Sequence, residues 1–598
     1  MLFASIKFVL LPHLAPLLLL LLRLLLLRSF LLSQPFPLYF TRAFFYPHSS
    51  HIDGLRNRHN VAIVLATGDR RLAFSSSEFE IVCGTFNGLQ RWKSLTSAKL
   101  EPLHIGYAHA PCRLAIYRIV CHPFPFKNLS PRIGLKIDQS DPIKIKVTFA
   151  DQTPRQIVVC PGRVFLFEQW HLLLTSLELH RLHRVDLVLV HVLSVHPSVF
   201  SLLRLYEKEG FVWVRPSLQL PSAESGNSPT FDANSETLWN NQLVNFHDCL
   251  YTFKESSAFI AFPDWDDLLL TPSPSAFLSS TSFPSSVRSS SATIFPASTF
   301  SSTSSSSSAS SFASFPSSVP SSPATTSPAS TFSSASSSSF TSSSTLSPTS
   351  SSTSSSVSSS SSPSSSSSAS ALSAALLRFV SVHPFSAALL PKRFPGHFPT
   401  ITQFVDNGWE MFDLFEKGVR FSVWPSDAQF ISKVLLRPKF VSGVDLHGPA
   451  GSMALAHQID ELPAENAFFV HARDYQKNPR LNQRLPFASL LVSNLATFLH
   501  RHNASLSDLP KSERFVPTLN ECLRNIEAKV RRNRHSKCFN YAQCRKELLE
   551  NVEGNGGKAW ECVGTDNRWS AVQRTRHFRF YVMEDEAMAQ FSGIRCLP

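Results

Sequence analysis

Three carboxylates close the apolar run "FIAFPDWDDLLL" at Phe259–Leu270: Asp264, Asp266 and Asp267. An Asp-x-Asp-Asp string offers hard oxygen donors, which suit Mg2+ or Mn2+ rather than zinc. Ions of that kind are commonly shared with substrate phosphates. A divalent cation there would offset the charge that builds on a departing diphosphate. This is the chemistry of a nucleotide-sugar transferase, in which one carboxylate contacts the metal and a neighbour positions ribose or sugar. The competing reading of the same string is an Asp-rich turn that caps the next helix.

The surrounding elements favour the first reading, because they put the string at a strand end. "RVFLF" from Arg163 is a strand candidate. "EQWHLLLTSLELHRLH" follows, with Trp170, Leu173, Leu174 and Leu177 at helical spacing. "VDLVLVHV" is nearly all apolar, as expected of a strand buried on both faces. In "PSVFSLLRLYEKEG", Val199, Leu202, Leu203 and Tyr206 share a helix face, Pro197 suits the first turn and Gly210 the C-terminal cap. "FVWV" supplies a third strand. Alternating strands and helices with short connections predict an α/β parallel sheet. In "ETLWNNQLVNFHDCLYTFKES", Trp239, Leu243, Phe246, Leu250 and Phe253 form one apolar stripe, which predicts a further helix. "SAFIAF" is then a buried strand, and Asp264 stands at its C-terminal end, where open α/β sheets bind ligands.

Around this core the chain of 598 residues has room for several domains. From Phe8 to Leu32 it is apolar and long enough to cross a bilayer, with Arg23 able to snorkel, and no small-x-small exit suggests cleavage. The expectation is an N-terminal transmembrane helix as an anchor (1–33), then a stem (34–57). Lys7 before the span and Arg28 and Arg42 after it leave the orientation open. Short alternating runs such as "NVAIVLA" and "PIKIKVTFA" predict a β-rich domain over 58–160. Residues 161–270 and 374–598 hold the α/β domain, the latter ending in a helical region. From Thr271 to Ser373 the tract is rich in Ser, Thr, Pro, Ala and Phe and contains a single charged residue, Arg288. Such a composition predicts disorder. A mucin-like segment and a translated pyrimidine-rich repeat both fit it.

The net charge is +13, too diffuse to name a polyanionic partner, and the basic run Lys529–Lys537 lacks the interleaved aromatics of a nucleic-acid surface. No nucleic-acid partner is expected. Ten cysteines contain no CxxC pair, so a zinc site is not expected. Five of them fall in the last quarter, where disulfides would suit a luminal domain. The sequons at Asn128 and Asn503 fit the same compartment.

The segment "LWNNQLVNFHDCLYTFKESSAFIAFPDWDDLLL" (Leu238–Leu270) resembles glycosyltransferase family 92, in which a Gln-containing helix with an Asp-Cys-Leu step leads to a strand and an acidic motif. "SKVLLRPKFVSGVDLHG" is similar to the family's Lys/Arg-Pro…His segment, and "VHARDY" to its His-x-Arg motif. The resemblance covers about 160–270 and 400–480. It implies a GT-A-like nucleotide-sugar-binding sheet with flanking helices. It further implies a UDP-sugar donor, in particular UDP-galactose, a glycan acceptor, Mn2+ or Mg2+, and a type II Golgi membrane protein with its catalytic part in the lumen. Carried residue by residue, it makes Asp264, Asp266 and His471 the metal candidates, with His447 a second candidate contact. Asp264, Asp267, Lys433, Arg437 and Arg473 become the donor-binding candidates, the cations neutralising diphosphate. Gln242, Asp248 and Cys249 brace the helix, Cys249 as a thiol or half a disulfide. An inverting transfer needs a carboxylate base, and Glu410, Asp413 and Asp474 are available. Two other functions remain in play: a glycoside hydrolase with two carboxylates and no metal, and an inactive O-glycosylated scaffold that keeps the fold.

Overall fold

The structure is a computed structural model. It describes residues 35–52, 55–75, 79–86, 91–105, 112–122, 132–221, 232–270, 385–390, 392–395, 419–422, 433–453, 458–462, 467–472, 481–483, 488–532, 538, 540–554, 560–575 and 578–597. The anticipated anchor, the Ser-rich tract, Asn128, Glu410, Asp413, Arg473 and Asp474 lie outside them. Among the described residues no helix is long and apolar enough to cross a membrane.

The amino-terminal part is built of strands, and it begins earlier than the alternation suggests. Residues expected as a stem form β1 (Phe36–Ile52), because "FPLYFTRAFFY" is rich in the aromatics that pack on a pleated surface. It pairs antiparallel with β2 (Leu55–Asp69). There follow β3 (Ile81–Phe86), β4 (Trp92–Ala98), β5 (Leu100–His104), β6 (Leu114–Cys121), β7 (Arg132–Ile137) and β8 (Ile143–Phe149). In β8 the even alternation of buried and exposed residues is the signature of a strand with one wet face.

The α/β part starts with β9, which is Arg155–Val159 rather than "RVFLF". Val164 and Phe167 make only isolated bridges to Val192 and Val195. Pro161 and Gly162 break the strand, and the residues after them serve as its exit loop. Next come α1 (Trp170–Leu182), β10 (Leu187–Val192), the two-residue β11 (Ser194–Val195), α2 (Pro197–Lys208) and β12 (Val212–Pro216). As expected, Pro197 opens α2, and Gly210, just beyond its end, takes φ 75°.

The helix α3 spans only Gln242–Thr252. The expected first turn is replaced by a left-handed run at Trp239, Asn240 and Asn241 (φ 50°, 53° and 72°). Asparagine tolerates that region better than most residues, which locates the break at the Asn-Asn step. Then follow β13 (Ser257–Ala261), β14 (Asp267–Leu270), β15 (Phe385–Leu390), β16 (Lys392–Pro395), β17 (Val419–Ser422), β18 (Lys433–Leu436), β19 (Val441–Val444), β20 (Pro449–Met453), β21 (Gln458–Glu461), β22 (Phe468–His471) and β23 (Leu481–Gln483). The helices α4 (Ala488–Arg501), α5 (Val516–Arg532) and α6 (Arg545–Gly554) realise the helical periodicity near the carboxyl end, and the long hairpin β24 (Glu561–Arg574) and β25 (Phe578–Ser592) closes the chain. This hairpin joins β1, so the first and last described strands share one sheet.

The functional sheet runs β12-β10-β9-β13-β18-β15-β21. The first four strands are parallel, while β18 runs antiparallel to β13 and β15. The chain steps from β9 outward to β10 and β12, then returns to place β13 on the other side of β9. Such a reversal is where open α/β sheets bind ligands, outside the carboxyl ends here of β9 and β13. Both faces of the sheet are covered. Val188, Val190 and Val192 of β10 pack into one core with Trp170, Leu173 and Phe498. Leu187 and Leu189 pack into another with Leu243, Phe246, Phe44 and Ile63. Each of these buried aliphatic side chains contributes roughly 1.5–3 kcal/mol, so β10 is anchored from both sides.

Candidate active site

Asp264, Asp266 and Asp267 occupy the turn that leads from β13 into β14. The Asp267 amide donates to the Asp264 carbonyl (3.0 Å), and the Asp264 amide donates back to Asp267 Oδ2 (3.1 Å). These reciprocal bonds hold three like charges in one tight bend. The Asp-rich turn and the acidic site are therefore the same object.

Two neighbouring strands supply the counter-charge. Lys433 begins β18 beside β13 and is buried, with Nζ 2.7 Å from Asp264 Oδ2 and 3.6 Å from Asp267 Oδ2. Burial alone would lower its pKa, yet the carboxylates of Asp264 and Asp267 raise it above the ordinary lysine value. On the other side, β14 and β22 pair antiparallel with Asp267 opposite His471. His471 Nδ1 is 2.8 Å from Asp267 Oδ1, and Nε2 is 3.6 Å from Asp266 Oδ2. The Ala472 amide donates to the Asp266 carbonyl at 2.6 Å and fixes this edge.

The donor atoms of Asp266, Asp267 and His471 lie within 4.8 Å of one another, and all three residues are buried. Their chemistry fits a divalent cation. With the Nδ1 proton directed at Asp267, Nε2 presents its lone pair toward the Asp266 carboxylate. In that tautomer Nε2 and the Asp266 carboxylate each offer one donor atom to a cation. A carboxylate behind a metal-binding imidazole is the usual means of fixing its tautomer.

The structure thus distributes the predicted residues differently from the sequence expectation. Asp266 and His471 come together as expected, but their third partner is Asp267. Asp264 turns to Lys433 and to Gln242, whose Nε2 lies 3.3 Å from Oδ1. Lys433, expected at a diphosphate, is engaged with carboxylates. Arg437 is half-buried with its guanidinium 4.3 Å from the Phe440 ring centre, and burial lowers its pKa. His447 sits in the turn between β19 and β20.

The helix α3 positions Gln242, and three of its residues fasten it to the sheets. Asp248 is fully buried, taking His191 Nε2 at 2.8 Å, Arg215 Nη1 at 3.2 Å and Arg42 Nε at 2.9 Å. Burial opposes its ionisation, but these groups hold its pKa well below the usual carboxylate range. Cys249 is disulfide-bonded to Cys160 at the end of β9. The remaining pairs are Cys83–Cys121, Cys112–Cys538, Cys522–Cys544 and Cys562–Cys596, and no cysteine is free. Zinc ligation by thiolates has no place in this arrangement.

Two features escaped the sequence reading. One is the lysine–carboxylate pairing, for which no local signal exists. The other is the left-handed turn before α3, which the Asn240-Asn241 step could have revealed.

Comparison with known proteins bears out the resemblance read from the motifs. The family model described as Glycosyltransferase family 92 matches residues 155–329. A glycosyltransferase family 92 protein of Caenorhabditis elegans is 27% identical over 242 residues, which are 40% of this chain and 44% of that protein. A second from the same organism is 32% identical over 139 residues, covering 23% of this chain and 26% of its own length. A third is 32% identical over 117 residues, with coverages of 20% and 22%. The chain spans less than half the length of these curated relatives.

Proposed function

We propose, from the premise that residues 155–329 carry a glycosyltransferase family 92 domain and make this chain a glycosyltransferase, that it transfers a hexose from a UDP-sugar to a glycan with a divalent cation. Galactose is the proposed sugar and Mn2+ the proposed ion. The observation that carries the reading is the Asp266–Asp267–His471 cluster at the carboxyl end of β13, beside the crevice of the parallel sheet. The strand order β12-β10-β9-β13, with β18 antiparallel, supports a GT-A-type sheet.

Asp266 and the Nε2 atom of His471 would hold the ion, with Asp267 fixing the imidazole from behind. When bound, the ion supplies positive charge to the diphosphate as it leaves. Lys433 holds Asp264 and Asp267 in place through its ion pairs. Asp264, more exposed than its neighbours and held by Gln242 and Lys433, is placed to accept hydrogen bonds from donor hydroxyls.

The proposed location is a Golgi membrane, type II, with the catalytic part in the lumen. Five disulfides support an oxidising compartment.

The test is donor turnover by the purified chain across a panel of nucleotide sugars, with and without Mn2+. Metal-dependent transfer or hydrolysis of a UDP-hexose, lost in Asp266→Ala, is the expected result. Absence of donor binding under every metal condition would overturn the reading in favour of an inactive scaffold.

A further inference from the structure

Arg163 follows Gly162 in the exit loop of β9 and is 7% exposed. Its Nη1 donates to the carbonyl of Asn240, while Nε and Nη2 have no hydrogen-bond partner. Equally buried arginines of this chain are paired with carboxylates: Arg42 with Asp248 and Glu586, and Arg118 with Glu101. Among the described residues no carboxylate pairs with Arg163. A guanidinium cannot escape this by losing its proton at neutral pH. Burial pulls its pKa down only to about 10.

The carbonyl that Arg163 contacts belongs to the turn that opens α3. This helix is eleven residues long, its N-cap residue Asn241 makes no side-chain capping bond, and its first turn has no acidic residue. The positive end of the helix dipole and a guanidinium without a carboxylate partner therefore stand together, and of the first amides, which lack intrahelical partners, that of Gln242 donates to the Trp239 carbonyl. That combination favours an anion. The start of the helix also adjoins the carboxylate turn. Gln242, the first residue of α3, bonds Asp264, and a Cβ added at Gly162 would lie 3.0 Å from Asp264 Oδ1.

We infer that Arg163 and the amino-terminal end of α3 form a phosphoryl-binding subsite of the same active site. The inference rests on the donor reading above and assigns Arg163 to a phosphoryl group of the nucleotide diphosphate. Asp264 Oδ1 meets Gln242 of α3 and its Oδ2 meets Lys433 of β18, so Asp264 joins this helix end to the carboxylate turn that holds the cation candidates. The half-buried rings of Phe165 and Tyr541 have their centres 5.5 and 5.8 Å from the guanidinium carbon, and little of the side chain reaches solvent. Anion entry requires one of these rings to turn aside.

The experiment measures binding of UDP, uridine and inorganic phosphate to the full chain in Mn2+, for the wild type, Arg163→Met and Arg163→Lys, together with the melting temperature of each free protein. Removing a charge-assisted bond to phosphate should weaken UDP about tenfold or more. Uridine affinity should be unchanged, and Arg163→Lys should keep part of the UDP affinity. The free Arg163→Met protein should melt no lower than the wild type, because an unpaired buried charge has been removed. UDP binding equal in wild type and Arg163→Met overturns the subsite and leaves the donor reading standing. Equal weakening of UDP and uridine with a lowered melting temperature also overturns it, in favour of a structural role. If the wild type ignores UDP yet loses phosphate binding in Arg163→Met, the subsite holds and the donor reading falls. If it binds neither, both fall.

Discussion

His471 Nδ1 lies 2.8 Å from Asp267 Oδ1, directly across the antiparallel pair of β14 and β22. The contact links the acidic turn to a strand 204 residues further along the chain, and it turns the second imidazole nitrogen toward Asp266. Under the proposed function the two carboxylates have separate tasks, Asp266 to hold an ion and Asp267 to orient the imidazole that shares it.

Asp266→Ala and His471→Ala should each abolish Mn2+ binding at the site, and Asp267→Asn should weaken it by about 10- to 100-fold, the usual cost of losing the group behind a metal-bound histidine. Titration calorimetry with Mn2+ measures all three. Unchanged affinity in Asp267→Asn would remove the orienting role from Asp267.

Lys433→Met should destabilise the protein by about 3–5 kcal/mol, since it takes the ammonium away from the buried Asp267 and its neighbour Asp264. Added Mn2+ should restore part of the loss by binding at the same carboxylate turn. Thermal melts with and without the ion check both halves, and a variant that melts like the wild type would show that Asp264 and Asp267 do not depend on Lys433.

His171 on α1 is 2% exposed, and burial lowers its pKa from 6.5 to about 3. Below pH 6.5 the unfolded chain therefore takes up a proton at this position that the folded chain refuses. Stability carried by the neutral imidazole is intact above 6.5 and declines as the pH falls toward 3. Relative to His171→Leu, the wild type should lose about 1.4 kcal/mol per pH unit across that window. Urea unfolding of the two proteins at pH 7.5, 6 and 5 gives the difference, and a pH-independent difference would contradict the burial argument.

Cys160 and Cys249 tie the end of β9 to α3 across 89 residues. Replacing both with Ser should cost about 2–5 kcal/mol. Mn2+-dependent turnover should fall as well, because α3 carries the Gln242 that holds Asp264. Peptide mapping of the non-reduced protein checks the pairing, and melting curves check the cost.

Asn503 is exposed just beyond α4 in the sequon Asn-Ala-Ser. If the chain folds in the secretory lumen, this asparagine should carry a glycan. A gel shift removed by endoglycosidase and by Asn503→Gln is the expected outcome. An unmodified Asn503 in protein made by secretory-competent cells would count against the luminal reading.

Much of the α/β part was legible in advance. The runs "VDLVLVHV" and "SAFIAF" became β10 and β13, and the stripe through Leu243, Phe246 and Leu250 became α3. Periods of 2 and 3.6 arise from the geometry of neighbouring residues, so a short window contains them. The errors fell where tertiary partners override the window. "RVFLF" is apolar because Val164 and Phe167 fill the core beside β10 while Leu166 fills a separate core with Phe515 and Trp560, and neither needs a ladder. Trp239 fits the helical stripe, but the chain there is bent left-handed, with the Asn240 carbonyl held by Arg163.

The sequence by itself determined that three carboxylates end a buried strand of an α/β sheet, because burial pattern and residue type are local properties. Their division of labour was settled by the tertiary structure. Lys433, 169 residues from Asp264, and His471, 204 from Asp267, reach the turn through the pairing of β13 with β18 and of β14 with β22. The same holds for the disulfides, one of which joins Cys112 to Cys538 over 426 residues. Strand pairing is fixed by the best packing of whole sheets, and no periodicity in the segments themselves says which strands will meet.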